Sequence, residues 1–225
     1  MKQAFPVEDF GVREASFDEF ESLDDDAETL ERNLVLAAMD ALREIGGEEL
    51  VQVLLWQAGR LDFAGADTMS AQIPVEQYLQ YRDTAIDFLQ DSFCATAFQT
   101  GQQLVRSLQN EKVEQVKKLI EQFKYSANKL PAVGQAAVLA AKGNPGVVRA
   151  AMKGKDRLVV TIEDCPECRN LRSDGPFCYL NQGVITEFAA AYLNLRVHTQ
   201  ETKCAAQGDA ACEIEVCIAA SPGWG

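Results

Sequence analysis

Histidine is nearly missing from this sequence: His198 is the only one in 225 residues. A metal centre built on imidazoles and a His-based catalytic triad are both excluded, because each needs histidines the chain does not have. Positive charge is also scarce, with 21 Lys and Arg against 34 Asp and Glu, for a formal net charge of -13. A phosphate-backbone binder needs a clustered basic excess, so nucleic acid is excluded as a partner. Long hydrophobic runs are absent as well. The best stretch, Pro131 to Ala141, is about half of the roughly 20 apolar residues that span a bilayer. Residues 1 to 30 hold ten acidic and two basic residues, unlike a secretory leader, which leads to the expectation of a cytoplasmic protein, at most peripheral to a membrane. Gly143-Asn144-Pro145-Gly146 reads as a turn, since it lacks the preceding strand and full glycine spacing of a dinucleotide or phosphate loop.

What remains is a chain with 47% hydrophobic residues, enough to bury a sizeable core. The acidic start, residues 1–26, reads as a solvated arm, and residues 220–225 as a tail. Between them, residues 27–219 read as one α+β domain, N-terminal helices packed on a small antiparallel sheet. From Ala27 to Ile45, apolar residues recur at three- and four-residue steps behind Asp26 as N-cap, and Gly46-Gly47 stop the helix. A shorter helix follows over Glu48 to Ala58. After Pro74 one apolar stripe, from Val75 through Phe93 to Leu108, predicts a long helix that bends near Gly101. Val113 to Tyr125 and Pro131 to Ala141 read as two more helices, so the helical part extends over 27–152. The remainder, 156–219, reads as strand, helix and hairpin: a β-branched strand at 156–162, a polar loop, a helix from Cys178 to Leu193, and two alternating strands at 195–202 and 211–218.

Six of the seven cysteines fall between residues 165 and 217. Cys94, beside Phe93 in mid-helix, and Cys217, near the end of the last strand, read as core. Cys204 closes one strand of the hairpin and Cys212 opens the next, so their sulfurs stand side by side, with Glu201 three residues before Cys204. Cys178, at the start of the preceding helix, reaches the same end. Three thiolates and one carboxylate can surround a tetrahedral ion with no open position, a donor set that suits structural zinc. Such a site carries a net charge of about -2, which Lys203 and Arg172 can offset. Strand alternation puts His198 on the face opposite Glu201.

The run Pro176-Phe177-Cys178, followed by Glu201-Thr202-Lys203-Cys204 and, through Gln207-Gly208-Asp209, by Cys212-Glu213-Ile214, resembles the 4-vinyl reductase (hydrocarbon-binding) domain. That family shares a fold with TRAPP small subunits and with the sensor domains of phenol-responsive activators. The resemblance implies a zinc ion on Cys178, Glu201, Cys204 and Cys212, and a domain, often a homodimer, that encloses a small hydrophobic molecule. It also implies an accessory or assembly role, in chlorophyll synthesis or photosystem biogenesis, with a tetrapyrrole or isoprenoid as ligand and a membrane-associated assembly as partner. The alternatives are a subunit of a vinyl reductase acting on a chlorophyll precursor, for which no reductant site is visible, and a pure interaction scaffold. Trp56, Arg60, Arg82 and Phe93 are the candidate pocket residues, the arginines as partners for a ligand carboxylate.

Cys165-Pro166-Glu167-Cys168 is a Cys-x2-Cys that the four-ligand site does not need. The pair could bind a second metal, replace a ligand, act as a redox couple, seat an iron–sulfur cluster with Cys178, or be loop thiols without a role.

Overall fold

The computed structural model describes residues 29–64, 70–107, 128–141 and 146–219, together with Lys118 and Glu121. The acidic arm, the C-terminal tail and most of the expected 113–125 helix lie outside the described residues. Strand β1 (Thr29–Glu31) leads into helix α1 (Arg32–Gln57), and β2 (Gln72–Pro74) leads into α2 (Val75–Leu89), α3 (Phe93–Arg106) and α4 (Leu130–Ala141). Strands β3 (Val147–Met152) and β4 (Arg157–Glu163) follow, then α5 (Tyr179–Leu193) and the pair β5 (Val197–Lys203) and β6 (Cys212–Ile218). The last four strands form one antiparallel sheet in the order β3-β4-β6-β5, covered on one face by helices. The architecture is the expected α+β. No helix among the described residues is long and apolar enough to cross a membrane.

Alternation along the strands decides which face is covered. Leu158, Val160 and Ile162 of β4 and Cys212, Ile214 and Val216 of β6 are buried, and Ile162 lies opposite Cys212 in the register. On β5 only Glu201 is fully buried while His198 is exposed, which is the alternation expected from the sequence.

Four local expectations change. The first helix begins at Arg32 rather than Ala27, because Thr29–Glu31 pair with Gln72–Pro74 as a two-stranded ribbon, Leu30 against Ile73. It then runs on to Gln57 with its break at Gly47, which takes φ 75 and so lets the chain turn without a Cβ penalty. The long stripe after Pro74 divides at Gln90, in the left-handed region at φ 46, and not at Gly101. Finally, Val147–Met152 is a strand where a helix was expected. Its run Val-Val-Arg-Ala-Ala-Met holds no fully buried residue, and pairing of all six positions with β4 makes it a sheet edge.

Gly101 has a different task, set by the approach of α3 to α5. A Cβ on Gly101 would stand 2.1 Å from the Leu180 carbonyl oxygen, and one on Gly183 would stand 2.0 Å from that of Phe98. The two helices therefore meet backbone to backbone, and only glycine fits at either point. Arg106 fixes their relative direction by reaching both oxygens of Glu187, Nε at 2.9 Å and Nη2 at 3.1 Å. Overpacking a contact of this kind costs about 1–3 kcal/mol. Gly183→Ala should lower the denaturant midpoint of unfolding accordingly, whereas Gly175→Ala, where a Cβ meets nothing within 4 Å, should leave it unchanged. Equal midpoints for the two variants would contradict this packing.

Candidate metal centre

Three pieces of chain converge beneath the sheet. The loop after β4 supplies Cys165 and Cys168, the start of α5 supplies Cys178, and the β5–β6 hairpin supplies Glu201, Cys204 and Cys212. All six are buried. Their sulfurs are in direct contact: Cys165 to Cys178 at 3.4 Å, Cys168 to Cys178 at 3.4 Å, Cys168 to Cys204 at 3.6 Å and Cys168 to Cys212 at 3.5 Å. A tetrahedral ion with bonds of about 2.3 Å to sulfur holds its sulfurs about 3.8 Å apart, so these spacings are close to the edges of a metal–thiolate tetrahedron.

Each piece is held by its own hydrogen bonds. In the hairpin, Cys204 donates its backbone N–H to Asp209 Oδ2 at 2.8 Å, Asp209 N–H returns to the Cys204 carbonyl at 3.2 Å, and Gly208 turns the chain at φ 102. Ala205 directs its N–H at the Cys212 sulfur, 3.3 Å away. Helix α5 has no cap of its own. Glu201 Oε2 fills that role from β5, accepting from the N–H groups of Phe177 at 2.6 Å and Cys178 at 2.9 Å. The other oxygen, Glu201 Oε1, is buried and has no hydrogen-bond partner among the described residues. A buried carboxylate oxygen left bare in this way fits a donor to a cation.

The Cys165–Cys168 loop is clamped from α2. Arg82 is only 2% exposed, and its Nη1 donates to the carbonyls of Pro166 at 2.8 Å and Glu167 at 3.1 Å. Tyr78 donates its hydroxyl to Glu167 Oε1 at 2.5 Å. Burial pushes the Glu167 carboxyl up, against the opposing pull of the Tyr78 hydrogen bond and the Arg82 charge. Ser173 N–H on the Ala206 carbonyl at 3.0 Å ties this loop to the hairpin.

The close sulfurs set one another's protonation. Hydrogen bonding to Cys178 draws Cys204 down to about 5, and hydrogen bonding to Cys165 and Cys168 holds Cys212 far below the usual thiol range. Cys168 and Cys178 are pushed up, in each case chiefly by Cys165. Burial raises Glu201 to about 7. Without a cation, negative charge therefore collects on Cys204 and Cys212, deep in the protein, where an uncompensated charge is costly. Two sets of four donors each lie within 4.8 Å of one another: Cys165, Cys168, Cys178 and Cys212, and Cys168, Glu201, Cys204 and Cys212. Both could hold a metal ion. Every donor is a thiolate or a carboxylate, so a divalent cation suits the site on charge as well as on spacing.

The quartet expected from the sequence is divided between these sets: Cys178 belongs to the first, Glu201 and Cys204 to the second, and Cys212 to both. The pair Cys165 and Cys168, left without a place by that quartet, sits inside the same cluster. The expected pocket residues take four separate surroundings. Trp56 is 70% exposed on α1, facing outward rather than into an enclosed space. Arg60 lies 4.2 Å over the Phe63 ring and bonds Asp62 and Gln77. Phe93 is buried and stacked on Phe177 with ring centres 5.3 Å apart. Arg82 holds the cysteine loop instead of a pocket mouth. Cys94 and Cys217 are half-buried rather than enclosed in the core. Tyr78 and Glu167 had no signal in the sequence beyond the position of Glu167 inside the Cys-x2-Cys loop.

Residues 158–218 match the family model of the 4-vinyl reductase domain, a stretch that contains all six donors. Two uncharacterized proteins of Methanocaldococcus jannaschii are similar in sequence, one 37% identical over 59 residues and the other 28% identical over 78. These matches take in 26% and 34% of the chain, and the chain spans 33% and 45% of the two relatives' lengths. Among solved structures, an H-NOX protein from S. oneidensis in the Fe(II)NO ligation state superposes with a TM-score of 0.59 at 10% identity, covering 85% of this chain and all of that one. The Fe(II) unliganded H-NOX protein from K. algicida gives 0.58 at 8% identity over 87% of this chain and 100% of its own. The phenol-responsive sensory domain of the transcription activator PoxR, with phenol, gives 0.50 at 12% identity over 65% of this chain and 75% of that domain. At these identities the likeness is one of fold.

Arg82→Ala removes the donor to two buried carbonyls and should cost about 1–3 kcal/mol, the usual penalty for orphaned buried acceptors. It should also free the loop, so alkylation of Cys165 and Cys168, followed by peptide mass spectrometry, should speed up. Arg82→Lys, which cannot reproduce the planar fork, should restore little of the protection. Unchanged alkylation rates in Arg82→Ala would contradict the clamp.

Proposed function

We propose that this chain is a non-enzymatic binding module for a small hydrophobic molecule, stapled by zinc at the cysteine cluster. The observation that carries the reading is the 4-vinyl reductase domain match over residues 158–218, the same stretch that supplies every donor of the cluster. The fold-level likeness to a sensory domain solved with phenol supports a small organic ligand. The metal fits on this chain's own chemistry: soft thiolates at tetrahedral spacing, and a bare buried oxygen on Glu201. By the sequence resemblance, Cys178, Glu201, Cys204 and Cys212 are the residues that would hold the ion.

The zinc would act structurally. It would neutralise the buried thiolates and lock the start of α5 to the β5–β6 hairpin, leaving no position for a reactive water. Helix α5 in turn packs backbone to backbone on α3, so order at the staple is passed to the helical layer. That layer, formed by α1 to α3, is the proposed enclosure for the ligand. The buried side-chain oxygen of Gln99 on α3 has no partner among the described residues and supplies an acceptor for a hydroxyl-bearing guest. A tetrapyrrole or isoprenoid occupant, an accessory role in chlorophyll or photosystem biogenesis, a homodimer and a membrane-associated assembly extend this reading on the resemblance alone. Exposed Ile45, Val53 and Trp56 on α1 offer apolar surface for such a partner.

Native mass spectrometry of the purified chain tests the reading directly. The expected spectrum shows bound zinc and a non-covalent organic adduct that is released on denaturation, and Glu201→Gln should bind zinc at least tenfold more weakly while α5 stays folded. A chain that carries neither metal nor organic adduct, and takes up neither, would contradict it.

A further inference from the structure

A four-ligand staple leaves two buried thiols of the cluster unused, and the arrangement of the six donors accounts for them. Zinc takes four ligands in a closed structural site. The two compact quartets each supply four, and they share Cys168 and Cys212. Two ions need eight ligand positions, and six residues fill eight positions when two thiolates bridge. We infer that the cluster is a binuclear centre in which Cys168 and Cys212 bridge two divalent cations of the zinc class, with Cys165 and Cys178 completing one ion and Glu201 and Cys204 the other.

The distances agree with this division of roles. Cys168 is the hub, touching Cys178 of the first quartet at 3.4 Å, Cys204 of the second at 3.6 Å, and Cys212, the other shared residue, at 3.5 Å. The two shared sulfurs thus stand at the spacing of an edge common to two tetrahedra, about 3.8 Å for zinc–thiolate bonds. The first quartet's outer donors, Cys165 and Cys178, are likewise 3.4 Å apart. In the second quartet, Glu201 brings a buried carboxylate oxygen that lacks a hydrogen-bond partner among the described residues.

Charge balances as well. Five thiolates and one carboxylate bring six negative charges, and two divalent ions return four, which leaves -2. That equals the balance of one ion on three thiolates and a carboxylate, so the second ion neutralises the extra pair and adds no further buried charge. An iron–sulfur cluster fits poorly. In a four-iron cluster each cysteine sits on a different iron, with inorganic sulfide between them, whereas these sulfurs are already in contact. The clamp from Arg82 and Tyr78 then serves to hold Cys165 and Cys168 in place for the first ion.

This inference rests on the metal-staple reading, and counting ions separates the two. The full chain would be purified under reducing conditions, stripped with chelator and reloaded with cadmium-113 as a zinc surrogate, then measured by native mass spectrometry and cadmium NMR. Two ions per chain are expected, with two cadmium resonances each split by the other through the shared thiolates. Cys165→Ser, which leaves the Glu201 quartet complete, should keep one ion tightly and bind the other at least tenfold more weakly. One ion per wild-type chain would overturn the binuclear centre and leave the single staple standing, and none would overturn both. Two unsplit resonances would overturn the bridging by Cys168 and Cys212, and acid-labile sulfide with visible absorbance in the protein as isolated would do the same.

Discussion

Buried thiolates in mutual contact are the constraint around which this end of the protein is arranged. Five sulfurs and a carboxylate from three separate stretches of chain are gathered where water cannot screen them. Gathering like charges without a counterion runs against elementary electrostatics. The surrounding structure supplies only partial relief, through the Ala205 N–H on Cys212 and the N–H groups at the start of α5 on Glu201. A divalent cation supplies the rest. In exchange, one point fixes the direction of α5, the register of the hairpin and the path of the loop after β4.

From that point order spreads outward through two rigid contacts. The first is α5 against α3, which lacks side chains at Gly101 and Gly183 and therefore cannot slide without a clash. The second is the loop Cys165–Cys168 against α2, through Arg82 and Tyr78. The helical layer and the metal centre are thus mechanically joined on two sides. A module built this way can hold a small guest among its helices while its cysteine cluster keeps the scaffold single-valued.

Much of the centre could be read from the chain alone, and the limits are instructive. Glu201, Cys204 and Cys212 were legible because strand alternation and a hairpin turn are local rules, and Cys178 because a helix start before them has a short reach. The place of Cys165 and Cys168 was not legible. Their loop is positioned by Arg82 and Tyr78, more than eighty residues earlier in the chain, and no local pattern reveals such a contact. Gly101 shows the same limit, since a glycine in a helical stripe reads equally as a bend or as a close approach. Strand β3 was missed because its alanines and methionine favour a helix and none of its residues is fully buried, so pairing with β4 overrode local preference.

The central claim is that a bound cation, rather than packing alone, holds the three chain segments together. Hydrogen exchange read out by mass spectrometry, comparing the metal-loaded chain with the chelator-stripped chain, tests it most directly. Stripping should abolish protection together at residues 165–180 and 200–213, and should weaken it along α3, while the β1–β2 ribbon keeps its own exchange rate. Identical protection in the two states would show that the cluster is held by packing, and the claim would fall.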